Sequence, residues 1–506
     1  MKVVKRLLFI LTIGSLVSCD GILDQIPETA VTNANVWTSE KDVEGVFNSM
    51  QYALRDGVGP HNWLYGEMRA QSVDNYTNYS YQHVFTNSLD LLNSGFYSWA
   101  GYYKTISLAN LILDNISKVT MDDAKREYYQ GTAYFVRAYS YFKILTMWGE
   151  APLYTSSSNV LEMAKASKDE IGDQIVKDAL AAKGLLKPWS KISEQLGESI
   201  ISKQYACEGA VDALLAHVYA WLGSLGIGSK EPREYLDLSI ASATDVIESP
   251  EYELVDNPEE VCIEVMYGNS TEGIFEMEFD EKERGGAATL AYYIVGYPIR
   301  DRFGPGSNSS MWPLNEIVIT NELVESIYDE PGDLRLNSYF YDFEGMKEMD
   351  ESITKGRAYP QKWRHPIYDV TEDRNLLAFN ANAVVFRLAD IYLLRAEIYN
   401  RIGETDLAIA DLDEIRDRAG LAPYSAAING DLKLAILKER QRELYLEGYR
   451  FEDLVRNGEL RNMVSTFKNM TDTDMKDGAE YLPIASGAFL KNPQMRQNVY
   501  WKRNGF

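Results

Sequence analysis

The chain has 506 residues, 45% of them hydrophobic and 25% charged, and its 50 Lys and Arg against 75 Asp and Glu leave a net charge of −25. Gly and Pro make up about a tenth of it, which excludes collagenous and low-complexity chains. The acidic excess repels phosphate backbones and anionic membrane surfaces, and no basic patch overrides that field, so nucleic-acid binding is excluded as a main function. Tyr is the compositional outlier at 34 residues, beside 9 Trp and 17 Phe. Its ring stacks and its hydroxyl hydrogen-bonds, a combination suited to wet recognition surfaces as well as to cores.

Lys2, Lys5 and Arg6 precede an apolar run over 7–17. That run is too short to span a bilayer but right for the hydrophobic region of a secretory signal. It ends in Leu16-Val17-Ser18-Cys19, which resembles the lipobox of bacterial lipoproteins, where the cysteine is lipidated and becomes the first residue. The expected organisation is a signal peptide over 1–18, a lipid anchor and tether over 19–35 with Cys19 as the lipidation site, and a body over 36–506. More than one acyl chain at Cys19 would give stable anchoring. Cys207 and Cys262 lie in apolar surroundings and are expected as buried thiols, with a disulfide between them as the alternative.

Along the body, apolar periodicity predicts helix pairs at 97–117 with 121–148 and at 204–222 with 234–248. His217 lies inside one of these and is expected to be a satisfied structural group. Ala138-x2-Tyr141, Ala216-x2-Tyr219-x3-Gly223 and Ala396-x2-Tyr399-x3-Gly403 share a spacing. In the last, Val384, Val385, Leu388, Ile391, Tyr392 and Ala396 read as one helical face ended by Gly403. Leu407, Ala408, Leu412 and Ile415 then form a second helix, with Arg416 and Arg418 complementing the dipole of its last turn. Ala396 and Ala408, either side of the turn, mark where two antiparallel helices approach. This is the pattern of a tetratricopeptide-type hairpin, with Tyr392 and Tyr399 at the large positions. A further helix is expected at 432–447. The stretches 57–93 and 261–362 are rich in Gly, Asn, Ser and aromatics and read as long irregular insertions, the second carrying a strand at 274–279. The expected fold is therefore dominated by α-helix: an α-α superhelix with long insertions and a few short strands.

Several separated blocks resemble the SusD/RagB family of outer-membrane lipoproteins from Bacteroidetes. They are Asn321–Tyr328 followed by Asp333-Leu334-Arg335, then Tyr359-Pro360-Gln361-Lys362-Trp363, and Arg387-Leu388-Ala389-Asp390 continuing to Ala396-Glu397. Glu439-Arg440-x2-Glu443-Leu444-x2-Glu447-Gly448-x-Arg450-x2-Asp453-Leu454 and Leu482-Pro483-Ile484 with Asn492-Pro493 and Gln497-Asn498 complete the set. The resemblance covers nearly the whole chain. It implies a single domain over 36–506, with an N-terminal half over about 36–255 and a C-terminal half over about 256–506. It also implies four tetratricopeptide-like helix pairs, a place on the cell surface, and a SusC-type TonB-dependent transporter as partner. Family members capture oligosaccharides, or peptides in the RagB branch, and are not known as enzymes. The charged residues of these blocks sit at helical spacings of three and four, and the expectation is a structural role in pairing along helix faces rather than in ligand contact.

A sugar offers flat C–H faces and rings of hydroxyls, so its site needs aromatic platforms with carboxylate or amide partners. Tyr76, Tyr79 and Tyr81 fall in a Gly-, Asn- and Ser-flanked stretch with no helical stripe to bury them, whereas Trp99, Tyr102 and Tyr103 have helical spacing and are expected in the core. The family's binding surface includes a loop before the first long helix of this region, which adds Asp74 and Asn75 as hydrogen-bonding candidates. Tyr292, Tyr293, Tyr297 and Trp312 form a second candidate cluster in the later insertion. The acidic alternation from Glu276 to Glu283 reads as a solvated strand edge, with Ca²⁺ ligation as a minor alternative. No P-loop, dinucleotide, zincin or nucleophile-elbow motif occurs, and four His offer little material for zinc or triad chemistry. No metal or other cofactor is expected. A glycosidase, needing only two carboxylates, remains a remote alternative.

Overall fold

The structure is a computed structural model describing residues 37–75, 79–89, 97–158, 162–278, 317–349, 356–368, 376–379, 381–490 and 492–505. In chain order the elements used below begin with helix α1 (Glu40–Trp63), a π-helical turn at Leu64–Met68, strand β1 (Asp74–Asn75) and helix α2 (Tyr79–Phe85). Helices α3 (Ala100–Asn115), α4 (Asp123–Trp148), α5 (Lys168–Lys183), α6 (Trp189–Leu196), α7 (Glu208–Leu225) and α8 (Pro232–Ile247) follow. Then come β2 (Gly273–Met277), β3 (Ile317–Thr320), α9 (Asn321–Ile327), α10 (Leu334–Tyr339), β4 (Arg357–Ala358), β5 (Pro366–Tyr368), β6 (Leu376–Phe379) and β7 (Ala383–Arg387). The C-terminal part carries α11 (Leu388–Ile402), α12 (Thr405–Arg418), α13 (Leu432–Glu443) and α14 (Arg450–Arg456).

The closest helix packing is between α1 and α3, α4 and α5, α7 and α8, and α11 and α12. This corrects one expectation and extends another. The segment 57–93 is not one irregular insertion: α1 runs to Trp63 and the chain continues through the π-helical turn. Helix α4 packs on α5 as well as on the preceding α3, because its buried residues line every side of the helix rather than one stripe.

Local chemistry accounts for the helix ends. Asp122 accepts from the backbone N–H groups of Ala124 and Lys125 to start α4, and Ser167 with Glu170 forms a reciprocal capping box on α5. Gly403 ends α11 in the left-handed region at φ +89°. Gly223, at the same place in the repeated spacing, does something else. It lies inside α7, where an added Cβ would come within 2.9 Å of Leu236 and of the Pro232 carbonyl, so it sets how closely α8 can approach. Ala396 and Ala408 are both fully buried in one small core with Leu393, Leu412 and Ile415, and Tyr392 and Tyr399 flank it. Val384 and Val385 are not helical; they belong to β7, which pairs antiparallel with β2. Two β-branched residues before an N-terminal boundary at Arg387 favour the extended chain.

The C-terminal half encloses a network of buried ions. Arg387 meets Glu272 at 2.7 Å, Glu443 at 2.8 Å and Glu447 at 2.7 Å. Arg418 meets Glu272 at 2.5 Å and Glu443 at 2.6 Å, and Arg335 meets Asp333 at 2.8 Å and Glu439 at 2.6 Å. Arg440 joins Asp390 and Asp453, each at 2.9 Å. Most of these pairs cross between elements, out of water, while Arg335 with Asp333 is local and Arg442 with Glu439 and Arg456 with Asp453 run along single helix faces as expected. Arg418 thus owes its place to ion pairs more than to a helix dipole. His217 donates from Nε2 to Asp390 at 2.7 Å and stacks on the rings of Phe386 and Tyr449, the satisfied structural role expected. Burial opposes ionisation of Asp390, yet His217 and Arg440 together hold its carboxyl well below the usual range. Cys207 and Cys262 are both buried and unpaired with each other.

Candidate functional site

The segment before the first Tyr cluster is pinned to the C-terminal half. Gly66, in the π-helical turn, sits so close to Gly448 that a Cβ would fall 1.9 Å from its carbonyl oxygen. Beside it the Gly448 N–H donates to Glu67 Oε1 at 2.9 Å, and burial pushes the Glu67 carboxyl up to about 7 despite that bond. Arg69 lies over the Phe451 ring at 4.2 Å and donates to the Glu480 carbonyl at 2.8 Å and to Asn87 at 3.1 Å. It is fully buried, so it braces the segment and does not face solvent as a sugar partner would. The Tyr445 hydroxyl donates to the Ser72 carbonyl at 2.8 Å, and Ser465 donates through N–H and hydroxyl to the Gln71 side chain.

From this anchored turn the chain enters β1. Asp74 lies opposite Val318 and Asn75 opposite Ile317 in antiparallel pairing, and β3 pairs on its other edge with β4, Ile319 opposite Ala358. The sheet order β1-β3-β4 thereby brings the backbone of both hydrogen-bonding candidates against the strand that follows the second insertion. Tyr79 and Tyr81 occur on α2, a short helix packed against β1 and the π-helical turn, not in a loop as expected. Tyr76, Tyr292, Tyr293, Tyr297, Trp312 and Cys19 lie outside the described residues. Trp99 and Tyr102 are core residues, as their spacing predicts, and Tyr103, half-buried beside them, donates its hydroxyl to the Pro152 carbonyl at 2.7 Å.

The acidic strand is also different from its sequence reading. Glu276 is fully buried, accepting from the Asn269 N–H at 2.9 Å and from Asn382 at 2.8 Å, so it is neither a solvated edge nor a calcium ligand. Among the described residues no group of His, Cys, Asp and Glu is placed to hold a metal ion, and no helix is long and apolar enough to cross a membrane. The group that sequence reasoning passed over is Glu67. Its signal was present, a carboxylate between Tyr65 and Met68 next to a glycine, but nothing in the sequence said that this stretch is buried.

Comparison with known proteins agrees with this architecture. Residues 335–501 match the family model described as SusD family, and residues 22–220 match one described as starch-binding associating with outer membrane. SusD-like protein P38 of Formosa agariphila is 25% identical, with 97% of each chain covered. A SusD homolog from Bacteroides thetaiotaomicron superposes with a TM-score of 0.75 at 23% identity, over 92% of this chain and 99% of that one. A laminarin binding SusD-like protein superposes with a TM-score of 0.65 at 21% identity, over 91% and 99%. Several of the family blocks seen in the sequence supply charges of the buried ion network, and the two matched regions together span most of the chain: the chain belongs to the SusD/RagB family.

Proposed function

We propose that this chain is a lipid-anchored outer-membrane protein, attached through Cys19 and facing the cell exterior, that binds an oligo- or polysaccharide and passes it to a SusC-like TonB-dependent transporter. It binds without turnover. The observation that carries the reading is the pairing of Asp74 and Asn75 with Val318 and Ile317. In the chain, Tyr76, Tyr79 and Tyr81 follow β1 directly, and the stretch with Tyr292, Tyr293 and Trp312 leads into β3, so paired strands border both aromatic-rich stretches. A platform for a flat, hydroxylated ligand needs aromatic rings brought together from such stretches. The laminarin-binding relative and the starch-binding description of the N-terminal family model favour a glycan.

The test is a retardation-gel and calorimetric screen of the protein against plant, fungal and host polysaccharides and a peptide digest. Saturable binding to a glycan, weakened at least tenfold by Tyr76→Ala or Trp312→Ala (a loss of about 1.4 kcal/mol), is the expected result. Binding to peptides alone moves the chain to the RagB-like reading, and release of reducing ends over time overturns the non-enzymatic one.

A further inference from the structure

A cavity of about 160 Å³ opens between the end of α11, the start of α13 and the end of α14, walled by Glu397, Asn400, Arg401, Lys433, Ile436 and Asn457. It shares no residue with the β1-β3-β4 sheet. Its volume is several times the share of one water molecule, about 30 Å³, and charged and amide groups are set in a lining that is otherwise more apolar than polar.

The charges on that wall are unequal. Glu397 is already neutralised, because both its oxygens accept from Arg456, each at 2.7 Å. Arg401 reaches it only at 3.9 Å. The Arg401 Nη2 donates to the Arg456 carbonyl at 3.0 Å and to Asn457 Oδ1 at 3.3 Å, while its Nε and Nη1 make no bond to the described residues. Burial lowers the Arg401 pKa, and Glu397 offsets this only in part while Arg456 adds to it. Arg401 is a half-buried cation whose carboxylate neighbour, Glu397, is held more closely by Arg456. Lys433 stands at the rim, paired with Glu459. Asp453 nearby is taken by Arg440 and Arg456. The residues that line the cavity thus carry two cations, Arg401 and Lys433, against one carboxylate, Glu397, with the amides of Asn400 and Asn457 beside them, while Glu459 and Arg456 pair with Lys433 and Glu397 from behind.

We propose that this cavity is a second binding site, for a small oxyanion of the sulfate, phosphate or carboxylate type, held by the free edge of Arg401 and by Lys433. A guanidinium offers two parallel N–H donors to such a group, and the ammonium supplies the second charge. A divalent cation is disfavoured by the same wall, whose one inward carboxylate is already paired.

Titration calorimetry of the protein with sodium sulfate, sodium phosphate and sodium acetate, against sodium chloride at matched ionic strength, tests this. The expected result is saturable millimolar binding of at least one oxyanion, reduced tenfold or more by Arg401→Gln and threefold or more by Lys433→Gln. Which salts bind separates tetrahedral from planar anions. If Arg401→Gln fails to fold, Lys433→Gln, at the exposed rim, carries the test, with its thermal unfolding in chloride as the folding control. No saturable heat from any of the three salts, or equal affinity in wild type and the folded variants, overturns the site.

Discussion

Arg387 and Glu443 meet at 2.8 Å with neither side chain exposed to water. Arg387 also serves Glu272 and Glu447, so its removal leaves several buried carboxylates short of charge. Arg387→Met is expected to cost about 3–5 kcal/mol, the usual penalty for stranding one partner of a buried pair. Urea unfolding followed by circular dichroism measures it. A loss below about 1 kcal/mol, the scale of exposed pairs, would show that the network relaxes around the gap.

Glu67 predicts an opposite dependence on pH from most carboxylates here. Its folded pKa is raised to about 7 from the usual 4.5, so its contribution to stability is full below pH 4.5 and is lost as pH rises through 7. Glu67→Gln keeps the acceptor for the Gly448 N–H and cannot ionise. The variant is expected to melt with the wild type at pH 5 and to be more stable at pH 8 by about 1–3 kcal/mol. Equal melting curves at pH 8 would show that Glu67 ionises without cost.

Acid works the other way on the ion network. Burial opposes ionisation of Glu397, but Arg456 overrides it and holds the carboxyl at about 2; Arg416, joined by Arg442, does the same for Glu330 against burial. Both are depressed below the unfolded value of 4.5, so the stability they supply is present above pH 4.5 and is lost as pH falls toward 2. Thermal unfolding between pH 6 and pH 2.5 should show a falling midpoint that is shallower in Glu397→Gln. A midpoint independent of pH across that range would contradict the pairing.

Gly66→Ala places a methyl 1.9 Å from the Gly448 carbonyl oxygen, a backbone atom that cannot swing aside. The expected cost is about 3 kcal/mol or more, at the upper end of overpacking effects. The damage should fall on the segment that leads into β1. Hydrogen exchange at residues 64–75 reads it directly, and protection unchanged from wild type would mean that the two backbones are further apart than described.

Cys207 and Cys262 are both buried, and burial pushes the Cys262 thiol up to about 12. Neither is expected to react with a thiol reagent in the native protein, and both should react in denaturant. Loss of both signals after denaturation without reductant would instead indicate a disulfide.

The helical scaffold was legible because its periodicity is strong: α3, α4, α7, α8, α11 and α12 stand within a few residues of their predicted places. Helix α5 was missed, since its apolar residues are interrupted by Lys177 and Asp178. Asp178 turns out to be buried against Arg137 at 2.6 Å, which no single-sequence pattern reveals. The same limit applies to Glu276 and Glu67, carboxylates whose burial depends on partners that arrive from elsewhere in the chain. Asp74 and Asn75 could be marked as candidates from residue type. That they pair with Val318 and Ile317 is a long-range fact of topology, and period-2 or period-3.6 reasoning carries no information on it.

The ion network also bears on the order in which the polypeptide can become native. Among the described residues, Glu272 is neutralised by Arg387 and Arg418, which lie 115 and 146 residues further along. A ribosome-bound or partly translocated fragment ending before those arginines cannot dehydrate Glu272 without stranding its charge, and the two arginines in turn outnumber Glu272 until Glu443 has emerged. Closure of this half therefore waits for nearly the entire chain, so late truncations near residue 440 should be as damaging as early ones, and the nascent protein stays open, and threadable, until its end is in hand.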